Sequence, residues 1–330
     1  MPAASILIKP ASANCNMDCK YCFYKCLSSH REEYSKGFMK EETLETLVRE
    51  AIAYADGSLT FAFQGGEPTL AGLDFFQKAV EMQQKYNNKK LQIENTIQTN
   101  GLLIDEKWAR FLGEHRFLVG LSLDGPKKMH DRYRKDAAGQ DTFARIMHSV
   151  QLLEQYHVDY NVVTVVTNDT AKQASFLYKF WKRNHYPFVQ FIPCMDEIKR
   201  QDGTQERSIY AVEPEQYGKF LCELFDLWYA DFAVGEAMDI RMFSNLAQMA
   251  AGYPAEECGM NGCCNCYFVV EGDGSVYPCD FYCMDAWKLG TVNDGFVQMK
   301  TSEKAKAFVE ASRPVCAACQ ECPYFSLCRG

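Results

Sequence analysis

The 330-residue sequence has no excess of basic residues, no apolar run of membrane-spanning length, no internal repeat and no low-complexity tract. With 35 Lys and Arg against 43 Asp and Glu, the net charge is -8. No general basic surface is left to draw nucleic acid or anionic lipid, and neither is expected as a partner. The opening MPAASILIKPASANC carries too short an apolar stretch, and no basic leader, for a secretory signal, which predicts a cytoplasmic protein. Cysteine is missing between Cys26 and Cys194, yet the chain holds 16, eleven of them from Cys222 onward. In a reducing compartment such clustering points to metal rather than to disulfides. The 47% hydrophobic content is ample for a sizeable core.

From residue 5 to about 192, short β-rich runs alternate with amphipathic stretches, the pattern of parallel βα units. Strands are predicted at Ser5 to Lys9, Leu59 to Phe63, Gln92 to Gln98, Phe117 to Leu123, Tyr160 to Val166 and Phe188 to Ile192. Helices are predicted at Glu41 to Tyr54, Leu73 to Lys85, Glu106 to Leu112, Thr142 to Tyr156 and Ala171 to Arg183, where apolar residues recur at three and four positions. Six such units are too few for an eightfold barrel. They predict an α/β fold with a partial (β/α)6 TIM barrel, its reactive groups at the C-terminal strand ends.

Polar residues collect at those ends. Gln64-Gly65-Gly66-Glu67-Pro68 follows the second strand, Gln98-Thr99-Asn100-Gly101 the third and Ser122-Leu123-Asp124-Gly125-Pro126 the fourth. One such loop is ordinary punctuation; three in register on one rim suggest a site. A polar connection from Pro193 to Thr204 precedes helical stretches at Pro214 to Phe232 and Met238 to Ala251. After Cys258 the chain turns to short Gly- and Cys-rich segments, including a hairpin-like run from Tyr267 to Pro278 that turns at Gly272-Asp273-Gly274. Domains are therefore expected at 1–235 and 236–330.

The string CNMDCKYC places Cys15, Cys19 and Cys22 on the loop after the first strand. Three thiolates on a [4Fe-4S] cube, which normally takes four, leave one iron open to a further ligand. Zinc with Cys26 as fourth ligand is the alternative, but zinc sites more often use paired CxxC or CxxH motifs separated by a longer loop. CNMDCKYC, with Tyr21 before its third cysteine, together with the Gly65-Gly66-Glu67-Pro68 loop, resembles the radical S-adenosylmethionine (SAM) superfamily. The resemblance implies that the open iron chelates SAM and that an electron entering the cluster releases a 5′-deoxyadenosyl radical. It also implies that Gly65, Gly66 and Glu67 meet the SAM amino group and Tyr21 lies near the adenine. Ser122 and Arg134, with Met195, are the further SAM-side candidates.

The C-terminal cysteines taken alone suit either zinc knuckles or iron–sulfur clusters. Behind a radical SAM core they resemble the SPASM extension, which carries two auxiliary [4Fe-4S] clusters. LIKPASANCNMDCKYCFY, FAFQGGEPTLAG, QTNGLLIDE, FLVGLSLDGP and CGMNGCCNCYFVVEGDGSVYPCDFY are similar to strings of anaerobic sulfatase-maturating enzymes, which convert a Cys or Ser of a sulfatase to Cα-formylglycine. Carried over, Cys258, Cys264 and Cys279 ligate one auxiliary cluster and Cys319, Cys322 and Cys328 the other. Each has a fourth cysteine downstream in the family. The sequence stops at Arg329-Gly330, so it is expected to lack the family's C-terminal end, leaving Cys263, Cys266, Cys283 and Cys316 as extra thiols.

The implied chemistry removes a hydrogen from the substrate Cβ and then one electron and a proton. Asp280, next to Cys279, is the implied base, while the strand-end rim and the first cluster loop offer Tyr24, Gln64 and Gln98 for substrate contact. The implied partners are a sulfatase polypeptide and an electron donor such as flavodoxin or ferredoxin. A SPASM peptide maturase forming thioether or carbon–carbon crosslinks needs the same clusters and is the alternative enzyme. A non-enzymatic iron–sulfur or zinc interaction protein would leave the GGEP loop without a purpose.

Overall fold

The computed structural model describes residues 3–198 and 207–329. The last part of the polar connection expected over 193–204 thus falls outside the described residues. The chain forms two compact units, one built from residues 1–14, 31–96 and 244–330 and the other from 15–30 and 97–243.

In the first unit β1 (Ala4–Ile8) pairs in parallel with β2 (Ser58–Phe63), Ile6 opposite Phe61 and Ile8 opposite Phe63. Every second residue of β2 is buried, as its alternating Leu59, Phe61 and Phe63 require. The helices Glu41–Tyr54 and Leu73–Tyr86 pack against each other. In the former, Leu44, Leu47, Val48, Ala51 and Ile52 form the buried stripe that the sequence spacing predicts. Glu41 and Glu42 sit in its first turn, where acidic charge suits the helix dipole.

β3 (Gln92–Thr99) runs from the first unit into the second. There β4 (Leu118–Ser122), β5 (Tyr160–Val166), β6 (Phe188–Pro193) and β7 (Asp239–Ile240) lie side by side in parallel. All six expected βα strands are present, their ends shifted by a residue or two, and the architecture is the expected α/β partial barrel. The second unit also contains the two helices Phe23–Ser29 and Lys127–Tyr133, which the loop-like sequence around them concealed.

The expected hairpin forms as β8 (Val269–Val270) and β9 (Ser275–Tyr277), antiparallel, with β10 (Gly290–Thr291) beyond. It does not stand alone. β8 pairs in parallel with β1, Leu7 opposite Val269 and Ile8 opposite Val270, so the cysteine-rich region extends the first strand's sheet. That register places Glu271, the residue after β8, beside the C-terminal end of β1.

The first unit's core centres on Phe76, fully buried with ring centroids 4.8 Å from Phe63 and 5.4 Å from Phe75. Phe76→Ala is expected to lower the unfolding free energy by about 3–5 kcal/mol, read as an earlier denaturant midpoint at unchanged slope.

Candidate functional site

In the second unit the loop Cys15 to Cys22 is pinned along the segment after helix Lys127–Tyr133. Asp18 N donates to Lys135 O at 2.8 Å and Lys20 N to Tyr133 O at 3.0 Å, with a bridge between Met17 and Asp136. Cys22 then opens the helix Phe23–Ser29, which carries Tyr24 against Phe23 at 5.7 Å. Cys15, Cys19 and Cys22 stand close enough that the charges of Cys15 and Cys22 act on the Cys19 thiol. Burial pushes that thiol up to about 12, against the pull of the Arg134 guanidinium.

Arg134 and Tyr21 meet at one carboxylate. Arg134 Nε donates to Asp124 Oδ2 at 3.0 Å, Tyr21 Oη donates to the same oxygen, and the guanidinium lies 5.5 Å from the Tyr21 ring centroid. Burial opposes the Arg134 charge, but Asp124, Tyr21 and Cys19 hold its pKa well above the ordinary arginine value. Asp124 itself is fixed by Val165 N, which donates to Oδ1 at 3.1 Å. The sequence reading placed Asp124 in a rim loop without giving it a role. At the neighbouring strand ends, Gln98 Nε2 donates to Ser122 Oγ at 3.1 Å, and Asn100 Nδ2 reaches Asn16 Oδ1 at 2.8 Å. Gly120 leaves room for this arrangement: a Cβ there would lie 2.1 Å from Gln98 Oε1. Met195 lies on the exposed segment after β6.

In the first unit the GGEP loop is held against the chain after β1. Glu67 N donates to Asn14 O at 2.8 Å. The Glu67 carboxylate turns inward to cap its own turn, accepting from Thr69 N at 3.1 Å and Thr69 Oγ1 at 2.6 Å. Gly66, at φ +52, has no room for a side chain, since a Cβ would come within 2.3 Å of Asn14 O.

Asp280 is buried beside Cys279. Lys9 Nζ lies 2.9 Å from its Oδ1, Gln64 Nε2 donates to its Oδ2 at 3.4 Å, and its backbone N–H donates to Tyr267 Oη at 2.9 Å. Lys9 also reaches Glu271 Oε1 at 3.6 Å, where Arg31 Nη2 pairs at 2.8 Å. Burial works against the Lys9 charge, but Asp280, Cys283 and Glu271 carry its pKa above the ordinary lysine value. Sequence reasoning missed Lys9, Arg31 and Glu271. A lysine ending the first strand, on the rim already singled out, was the one signal available.

Burial raises the Cys279 thiol to about 11, with Tyr267 pulling it down and Asp280 and Cys258 adding to the rise. Tyr282 feels both Cys264 and Cys279, so Cys258, Cys264 and Cys279 share a neighbourhood. Cys319, Cys322 and Cys328 lie on or beside the one-turn helices Ala317–Gln320 and Phe325–Cys328. Cys316, counted as an extra thiol, shares a hydrogen bond with Cys319 and belongs to the same group. Among the described residues no three His, Cys, Asp or Glu side chains close on one metal ion. The three groups are all-thiolate, the donor chemistry that iron–sulfur clusters take, and they fit such a cofactor in ligand type.

Residues 10–179 match the Radical SAM superfamily model, and residues 262–323 match SPASM, an iron-sulfur cluster-binding domain. The cysteine-type anaerobic sulfatase-maturating enzyme of Clostridium perfringens (strain 13 / Type A) is 47% identical over 331 residues, covering 100% of this chain and 89% of that relative. The serine-type enzyme of Bacteroides thetaiotaomicron is 33% identical over 339 residues, 98% of this chain and 81% of that one. The solved structure of native anSMEcpe with bound AdoMet and Cp18Cys peptide superposes with a TM-score of 0.94 at 46% identity, over 100% of this chain and 88% of that chain. The fold and its two matched regions define a radical SAM oxidoreductase with a SPASM domain, whose cofactors are SAM and [4Fe-4S] clusters. More narrowly, the chain belongs to the anaerobic sulfatase-maturating enzymes.

The geometry around Asp124 carries a pH dependence. Asp124 N donates to His130 Nδ1 at 3.3 Å, so the neutral ring carries its proton on Nε2, 3.0 Å from Thr142 Oγ1. Burial lowers the His130 pKa from 6.5 to about 4. An unfolded chain protonates this ring near its ordinary value while the native state resists, so stability is lost as pH falls through that window. The melting temperature should drop more steeply between about pH 7 and pH 5 in the parent than in His130→Gln.

Proposed function

We propose that this enzyme oxidises a cysteine or serine of a sulfatase polypeptide to Cα-formylglycine, cleaving SAM to methionine and 5′-deoxyadenosine. The single observation that carries the reading is the buried Asp280 carboxylate, adjoining Cys279 and meeting Gln64, in a chain 47% identical over 331 residues to a cysteine-type enzyme of this activity. The lower identity to the serine-type relative favours cysteine as the target.

In this reading Cys15, Cys19 and Cys22 hold the SAM-binding cluster, and Cys258, Cys264, Cys279 and Cys319, Cys322, Cys328 serve the auxiliary ones. When bound, these cofactors supply a carbon-centred radical able to remove one substrate hydrogen and a sink for one electron. Tyr21, Gly65, Gly66, Glu67, Ser122, Arg134 and Met195 face SAM. Arg134 offers a desolvated cation, held in line by Asp124, for a carboxylate. Tyr24, Gln64 and Gln98 orient the peptide. Asp280 accepts the proton of the substrate thiol or hydroxyl. Serine then gives the aldehyde directly, while the thioaldehyde from cysteine takes its oxygen from water and releases its sulfur as hydrogen sulfide. The work divides between a SAM-cleaving domain, 1–235, and an auxiliary-cluster domain, 236–330. A one-electron carrier of the flavodoxin or ferredoxin kind delivers the electron. The sixteen free cysteines suit a reducing, cytoplasmic setting. No described helix is long and apolar enough to cross a membrane.

Anaerobically reconstituted enzyme should convert a cysteine-containing sulfatase peptide to the formylglycine product, read by mass. Asp280→Asn should keep SAM binding and slow that conversion about 10²- to 10⁴-fold, because an amide cannot accept the proton. Normal turnover by Asp280→Asn would make Asp280 a turn residue only.

A further inference from the structure

Lys9 is the residue that follows β1, and its side chain is only 2% exposed. A lysine taken that far from water needs a fixed anionic partner, and two are within reach. Glu271 is already matched by Arg31 at 2.8 Å, whereas Lys9 stands 3.6 Å from Glu271 and 2.9 Å from Asp280 Oδ1. The division of labour pairs Arg31 with Glu271 and Lys9 with Asp280.

The route of the lysine stem is also built in. A Cβ on Gly65 would lie 2.7 Å from Lys9 Cγ, 2.8 Å from Cε and 2.9 Å from Cδ. Gly65 adopts φ +90, so two features of that position, the backbone conformation and the missing side chain, keep the channel for Lys9 open. Asp280 is thereby gripped at Oδ1 by Lys9 and at its backbone N–H by Tyr267, and its Oδ2 is turned to Gln64.

We propose that Lys9 is a positioning residue for the maturation reaction, holding Asp280 so that Oδ2 is presented toward the peptide side marked by Gln64, with Gly65 clearing the way for its stem. The inference rests on Asp280 being the proton acceptor of the reading above. Lys9 touches neither substrate nor SAM in it; Lys9 acts through Asp280.

The test uses the fully loaded enzyme with Lys9→Met, which keeps length without charge, and Lys9→Arg, which keeps the charge. Lys9→Met should lower kcat for formylglycine about 10- to 10²-fold with peptide KM, iron content and peptide-free SAM cleavage unchanged. It should also form more 5′-deoxyadenosine per product, and Lys9→Arg should recover part of the loss. A crystal structure of Lys9→Met should show the Asp280 carboxylate rotated away from Gln64. Normal turnover in Lys9→Met, an unmoved Asp280, or parallel loss of iron, SAM cleavage and peptide oxidation in both variants would overturn the proposal. A parent enzyme that makes no formylglycine would instead defeat the functional reading, while the Asp280 position in Lys9→Met would still decide the pairing.

Discussion

The buried pairing of Lys9 with Asp280, and of Arg31 with Glu271, is the constraint around which the first unit is arranged. Each of these charges is expensive to bury alone, by several kcal/mol even after relaxation, and tolerable only when geometry and hydrogen bonds are good. Keeping each charge opposite its partner ties together the end of β1, the residue after β8, the segment at Arg31 and the turn after Cys279. It explains why β8 lies in register beside β1: the parallel pair carries Glu271 to the same end as Lys9. The same constraint sets the shape of the GGEP loop, whose first glycine leaves space for the lysine stem and whose second lies against Asn14 and Ser12.

The second unit solves a similar problem with a different set. Arg134, Tyr21 and Asp124 form a desolvated group at the end of β4, and His130, neutral and buried, supports it through the Asp124 backbone. The cysteine loop is fastened to the same stretch of chain, so the Cys19 thiol sits where a permanent guanidinium charge offsets part of the penalty of burial. Both units thus place paired ionic groups, rather than isolated ones, beside thiols that must be deprotonated to bind iron.

Much of this was legible in the sequence. Alternating Leu59, Phe61 and Phe63, the β-branched run from Val162 to Val166 and the helical stripe of Leu44, Leu47, Val48, Ala51 and Ile52 are local patterns, and local patterns survive in one dimension. The cysteine spacings and long family-like strings were equally plain. Lys9, Arg31, Glu271 and Asp124 were not, because each gains its meaning from a partner far away in the chain. A lone charged residue at a strand end reads as a solvated side chain until the pairing of β1 with β8 is known. The short helices Phe23–Ser29 and Lys127–Tyr133 were hidden for another reason: they follow Cys- and Gly-Pro-containing loops and are too brief to show a period.

The central claim is that the enzyme takes hydrogen from the Cβ of a sulfatase side chain. A sulfatase peptide deuterated at the Cβ of its target cysteine, turned over by the loaded enzyme with SAM, tests it directly. One deuterium should appear in 5′-deoxyadenosine for each formylglycine formed. Formylglycine accompanied by unlabelled 5′-deoxyadenosine, or labelled peptide returned unchanged while SAM is cleaved, would contradict it.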